Sequence, residues 1–239
     1  QRIEKICDYI IAHHGRKTHN KTFTAMFCVS SVSVLIKYYE ALQRKKMLGQ
    51  HSLKVATIFS YTANEDDMDA NGFIPEEVPM AAENGELYLT NVHTREKLDI
   101  FINDYNQMFG SAFSTKDNQS FYNYYNDISK KVKERKIDLL LVVNMFLTGF
   151  DSPALNTLFV DKNLRYHGLI QAYSRTNRIV NEVKSQGNIV VFRNLKNATD
   201  EAITLFSNKD AIEQIIMKPY EDYVKIFNDG FIKLLEIVP

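Results

Sequence analysis

The run Asp138-Leu-Leu-Leu-Val-Val-Asn144 constrains this chain most. A strand with one wet face alternates apolar and polar residues. An unbroken apolar run belongs to a strand covered on both faces, as in parallel sheets flanked by helices. The surroundings fit that setting. Phe23 to Val29, Lys54 to Phe59, Leu155 to Asp161 and Asn188 to Phe192 also read as strands. Helical spacing separates them. Ile3, Ile6, Ile10 and Ile11 mark a helix over Arg2 to His14. Ser30 and Ser31 cap a second helix through Val34, Leu35, Tyr38, Tyr39 and Leu42. Further helices are predicted over Phe121 to Arg135 and Leu169 to Val180. Strands alternating with helices predict an α/β fold with a parallel sheet.

One stretch breaks the rhythm. From about residue 64 to 120 the chain carries an acidic segment, Glu65-Asp-Asp-Met-Asp69, and then Gly72, Pro75 and Pro79. Its first half reads as a surface insertion. Its second half, Thr94 to Phe109, reads as a helix packed on the domain through Leu98, Phe101, Ile102 and Tyr105. Beyond Asn194 only helical spacing remains, through Ile212, Ile215, Ile216, Tyr223, Phe227, Phe231 and Leu234. The predicted organisation is therefore an α/β domain over 1–194, with the insertion, followed by a helical unit over 195–239. An apolar patch is expected near Phe227, Phe231 and Leu234.

Composition narrows the function. Among 239 residues, Lys plus Arg total 29 and Asp plus Glu total 29. A net charge of zero excludes a polycationic nucleic-acid binder, so any such surface is a local patch. Cys7 and Cys28 are too few for a disulfide framework and form no metal-type pair, which fits a reducing compartment. No apolar run approaches the roughly 18 residues of a membrane span. The chain starts at Gln1 without a charged and apolar leader. It reads as a cytoplasmic piece of a longer polypeptide.

Two segments can carry chemistry. After the Leu139–Val143 strand comes Met145-Phe-Leu-Thr-Gly-Phe-Asp-Ser-Pro153. Ligands of open parallel sheets gather at the carboxyl ends of strands. There Gly149 would admit a close ligand, Thr148 offers a hydroxyl and Asp151 a carboxylate. The same residues also suit a plain strand-ending turn. The second segment is Gln171-Ala-Tyr-Ser-Arg-Thr-Asn-Arg178. On a helix, Arg175 and Arg178 share a face with Gln171. Two permanently charged forks beside a glutamine suit a phosphate chain, although a solvated helix face has the same residues. No acidic residue lies within one helical turn, which leaves a basic face open to an anion.

Together these segments resemble a known pattern. Thr148-Gly-Phe-Asp151 resembles motif V of superfamily 2 helicases and translocases, and Gln171-x-x-Ser-Arg-x-x-Arg178 resembles their motif VI. Ser174 stands where the generic motif has glycine. The stretches Asn144 to Pro153, Leu155 to Lys162 and Leu164 to Arg178 resemble the motor (R) subunit of bacterial type I restriction enzymes. Asp104-Tyr-Asn-Gln-Met-Phe-Gly is similar to that family as well. The resemblance spans about Phe23 to Phe192.

The resemblance implies the second RecA-like domain of a DNA translocase and the start of its helical region. It implies Arg178 as an arginine finger and Arg175 as a helper on the γ-phosphate. It implies Gly149, Asp151 and Gln171 at the nucleotide, and Ser30, Ser31 and Thr148 on the DNA backbone. ATP and Mg2+ would be bound mainly by a first RecA-like domain. Double-stranded DNA, that first domain, and the methyltransferase and specificity subunits are the implied partners. The chain alone is expected to be inactive. Gly15-Arg-Lys-Thr18 lacks the spacing of a phosphate loop, and the acidic stretch at 65–69 reads as a solvated turn. Glu134-Arg-Lys136 and Glu182-Val-Lys184 match a nuclease triplet only by coincidence of letters. His13, His14 and His19 read as helix-end and loop residues rather than zinc ligands. Phe121-Tyr-Asn-Tyr-Tyr125 suits either stacking on bases or helix packing. The competing readings are a non-catalytic RecA-like module that binds DNA or a subunit, and an unrelated α/β enzyme with its own catalytic set.

Overall fold

The structure, a computed structural model, describes residues 1–59, 92–147, 150–178, 184–206 and 220–237. The chain opens with α1 (Arg2–Lys17), β1 (Thr24–Val29), α2 (Val32–Met47) and β2 (Val55–Ile58). Next come α3 (Val92–Phe109), α4 (Asn118–Lys133), β3 (Leu139–Val142) and β4 (Leu155–Asp161). It ends with α5 (Tyr166–Ser174), β5 (Asn188–Val191), α6 (Lys196–Phe206) and α7 (Tyr220–Ile237). The five strands form one sheet in the order β2-β3-β1-β4-β5. Every pairing is parallel. This is the α/β arrangement that the apolar runs predict, and it is consistent with the RecA-like fold that the resemblance implies, with seven helices among the described residues.

Burial follows strand position. All residues of β1, β2, β3 and β4 are buried, whereas β5 at the edge alternates between half-buried and exposed. Phe27 in the central strand stands opposite Leu141 on one side and Phe159 on the other. Phe27 also meets Tyr38 edge-on at 4.8 Å between centroids, and Phe159 stacks on Phe192 at 6.2 Å. Truncating Phe27 or Phe159 to alanine costs about 3–5 kcal/mol. Leu98, Phe101, Ile102 and Tyr105 of α3 are buried, as their spacing predicts. The first half of the expected insertion, with its acidic stretch, lies outside the described residues.

Within the aromatic stretch at the start of α4, Tyr124 and Tyr125 pack inward, whereas Tyr122 is exposed. The hydroxyl of fully buried Tyr124 donates to the Thr57 carbonyl at 2.7 Å, and Tyr125 stacks on Phe146 at 4.7 Å. Caps fall where the sequence puts them. Ser31 precedes α2, and its Oγ accepts from Val34 N at 3.3 Å. On α7, Phe227 and Phe231 are exposed, as expected, together with Ile226 and Ile232. The Leu234 side chain lies outside the described residues.

Helix α1 is fixed to β4 at both ends. Near its start, Arg2 grips Asp161 with two nitrogens at 2.7 and 2.5 Å. At its end, the Lys17 carbonyl accepts from Asn156 Nδ2, Thr157 Oγ1 and Asn188 Nδ2 at 3.0, 3.2 and 3.2 Å. These groups satisfy a terminal helix carbonyl that has no partner within the helix. Asp161 also accepts from Tyr38 Oη at 2.6 Å and Arg193 Nε at 2.9 Å. Burial pushes its carboxyl up, but the hydrogen bonds from Arg2, Tyr38 and Arg193 outweigh burial and bring it down to about 2.

Candidate functional site

The site forms where the β3–β4 crossover meets the end of α5. Two parallel strands need a connection that returns along the sheet. The chain leaves β3 at its carboxyl end, and Asn144 Oδ1 there accepts from Lys162 Nζ at 2.5 Å. It must reach the amino end of β4. Ala154 arrives there, since its carbonyl accepts from Thr24 N, the first residue of β1, at 2.8 Å. Phe150 lies on the way, under the ammonium of Lys133 at the end of α4. The segment Phe150-Asp-Ser-Pro153 therefore sits at the amino edge of the sheet. This corrects the expectation of a site at the carboxyl ends of the strands. The motif is the return path itself, so most of it lies beyond the strand end that starts it.

The arginine segment is corrected as well. Helix α5 ends at Ser174, not at Val180, and Arg175 is its C-cap. Ser174 Oγ and Arg175 Nε both donate to the Gln171 carbonyl, at 2.7 and 3.1 Å. Thr176 Oγ1 donates to the Tyr173 carbonyl at 3.1 Å. Side chains thus take the carbonyls that a further helical turn would use. Arg175 and Arg178 consequently do not share a helix face. They lie on a turn at the same amino edge, because α5 runs back from the carboxyl end of β4. The predicted absence of an acidic partner is overturned too. Arg178 Nε pairs with Asp151 Oδ1 at 2.6 Å, and the carboxylate comes from the crossover rather than from the helix.

The two arginines differ in their surroundings. Arg178 is exposed, with 58% of its side-chain surface open, and Asp151 is 48% open. Arg175 is half-buried. Its Nη1 donates to the Phe150 carbonyl at 2.5 Å, and burial lowers its pKa while Asp151 opposes the shift. Gln171 contributes its carbonyl to this turn. Thr148 and Gly149 lie outside the described residues.

Lys184 also belongs to the site. Only 1% of it is exposed, and its Nζ donates to the Pro153 carbonyl at 2.9 Å. Burial lowers its pKa to about 8, with Asp151 pulling it back up and Arg178 pushing it further down. The sequence shows this lysine only as the end of a chance nuclease triplet in a polar stretch. No apolar spacing marks it as buried. The one available signal is its place just ahead of a predicted strand.

The structure separates the remaining candidates. Ser30 and Ser31 follow β1 at the carboxyl edge. The length of β1, six residues, puts them about 20 Å from the arginine turn. Ser31 Oγ is also engaged with Ser33 Oγ at 3.0 Å, besides its capping bond. Hydroxyls and main-chain amides at a helix start can hold phosphate. Among the described residues, no group of three or more His, Cys, Asp or Glu could hold a metal ion. No helix among them is long and apolar enough to cross a membrane.

Comparison with known proteins gives consistent matches. The family model for type I restriction enzyme subunit R domain 3 matches residues 21–194. The endonuclease subunit of type I restriction enzyme SauCOLORF180P from Staphylococcus aureus strain COL is 45% identical over 240 residues, covering 100% of this chain and 24% of the relative. The corresponding subunit of SsaAORF53P from Staphylococcus saprophyticus is 44% identical over 235 residues, covering 98% of this chain and 23% of the relative. The HindI endonuclease subunit from Haemophilus influenzae is 35% identical over 92 residues, covering 35% of this chain and 8% of the relative. The chain thus spans about a quarter of the length of its two more similar relatives here.

Proposed function

The chain belongs to the type I restriction enzyme subunit R family, and on that footing we propose that it forms the second motor domain of an ATP-driven double-stranded DNA translocase, with Arg178 as its arginine finger. The observation that carries this reading is the open Arg178–Asp151 pair at 2.6 Å. An exposed guanidinium held, among the described residues, by one exposed carboxylate can exchange that partner for a phosphate at little cost. A buried, fully bonded arginine could not. A finger of this kind stabilises charge that develops during phosphoryl transfer and is worth about 10³–10⁵ in rate.

The other residues take supporting roles. Arg175 commits Nε and Nη1 to main-chain carbonyls, so it holds Phe150 in place. Its Nη2 makes only a long contact with Ser174 Oγ at 3.5 Å, which it can give up to reach an anion. Asp151 keeps the finger oriented between turnovers. Gln171 and Gly149 take the nucleotide-binding roles that the resemblance implies. Ser30, Ser31 and Thr148 contact the DNA backbone, which suits movement along any sequence. The guanidiniums fit the phosphates of ATP, whereas Mg2+ would be held by carboxylates of a first motor domain. ATP, when bound, supplies the phosphoryl group whose transfer to water drives stepping. Methyltransferase and specificity subunits are the further partners in this reading.

The test is DNA-stimulated ATP hydrolysis by the full-length subunit, wild type against Arg178→Ala, with ATP binding measured in parallel. Turnover should fall by a factor of about a hundred or more with binding retained. Near-normal turnover would leave a non-catalytic DNA- or subunit-binding module as the better reading.

A further inference from the structure

We infer that Lys184 and Gly187 are positioning residues that hold the Asp151 loop and the arginine turn in register with each other. The inference rests on the function proposed above and adds two residues to it.

The crossover carrying Asp151 is secured by cations from three other elements. Lys162, just past β4, holds its start at Asn144. Arg175, at the end of α5, holds Phe150. Lys184, just ahead of β5, holds Pro153 at 2.9 Å. Asp151 lies between the last two anchors. Both anchors act on main-chain carbonyls, so they fix the backbone and leave the Asp151 carboxylate free to meet Arg178. Keeping an ammonium at 1% exposure opposes solvation. A surface lysine would avoid that cost but could not reach the inner side of the loop.

Gly187 supplies the second contact from the same short segment. A Cβ at this position would stand 2.7 Å from both the Cβ and the carbonyl oxygen of Thr176, and closer still to its Oγ1. Only a residue without a side chain lets the segment approach so near. Thr176 is buried at 1% exposure and lies between Arg175 and Arg178. The Lys184–Gly187 segment therefore touches the Asp151 loop with one end and the arginine turn with the other. It fixes the spacing of the ion pair from behind, without contact to the nucleotide. Displacing such a support by about 1 Å can cost on the order of a hundredfold in rate.

The experiment uses the full-length subunit and DNA-stimulated ATP hydrolysis, resolved into kcat and KM for ATP. Lys184→Met keeps chain length and removes the donor, and Gly187→Ala introduces the steric conflict without a change of charge. Both should lower kcat by about tenfold or more while KM stays within about threefold. A role confined to stability would move the unfolding midpoint and leave kcat per folded molecule intact. Should Lys184→Met not accumulate as folded protein, Lys184→Gln and Gly187→Ala are read by the same criterion. Wild-type kcat in folded Lys184 and Gly187 variants overturns the inference. Arg178→Ala serves as the reference. If it turns over like wild type, the proposed function fails whatever Lys184 does. If it collapses while Lys184→Met does not, the function stands and only this inference falls.

Discussion

Asp151 precedes β4 and Asp161 ends it, and both are paired with arginine, yet they hold opposite positions. Asp161 sits at the carboxyl edge with 1% of its side chain exposed, and accepts from Arg2, Arg193 and Tyr38. Asp151 sits at the amino edge, 48% exposed, and pairs with Arg178. The first carboxylate is committed to the fold. The second can exchange its partner. The difference lies in the groups that surround each pair, because both are aspartate–arginine pairs of similar length. The Arg2 side chain is 53% exposed, close to that of Arg178, so the contrast lies in the carboxylates. A buried one saturated by three donors welds elements together, and an open one is available for chemistry.

This contrast can be broken most forcefully at Asp161. Asp161→Ala leaves Arg193 and Tyr38 facing an empty buried site, so unfolding stability should drop by about 3–5 kcal/mol in denaturant titration. Acid should act on the same group. Its folded pKa of about 2 lies below the ordinary carboxylate value of 3.8. The stabilisation is complete above about pH 4 and is lost as pH falls toward 2, amounting to about 2 kcal/mol. Calorimetry across that window should lose this dependence in Asp161→Asn. Tyr38→Phe removes one hydrogen bond to a charged acceptor and should cost about 1.5–3 kcal/mol. Asp151→Asn is the control, with an expected stability change of about 1 kcal/mol or less. If Asp151→Asn destabilised the fold as much as Asp161→Ala, the distinction between the two edges would collapse.

The sheet was legible in the residues because uninterrupted apolar runs have few other uses. Leu155 to Asp161 is predicted and observed with identical limits. Helix interiors were equally clear, as the burial of Leu98, Phe101, Ile102 and Tyr105 illustrates. The site was legible in its letters but not in its geometry. The end of α5 depends on Ser174, Arg175 and Thr176 taking main-chain carbonyls, a competition that apolar periodicity does not record. The partner of Arg178 comes from a crossover whose path is set by the position of β4. Lys184 is buried by neighbours distant in sequence, so its letter alone looks like a solvated charge. The Asp161 cluster is invisible in the sequence for the same reason: Arg2 and Asp161 are 159 residues apart.

The double attachment of α1 has a mechanical consequence. The helix has 16 residues and β4 has 7, so the two are about 24 and 23 Å long. They lie antiparallel and are joined at both extremities. Tension entering at Arg2 therefore loads the two attachments in shear, along the strand. The Arg2–Asp161 and Lys17 attachments must then yield nearly together, whereas a helix joined at one end would peel away bond by bond. Such a joint passes force into the sheet with little compliance.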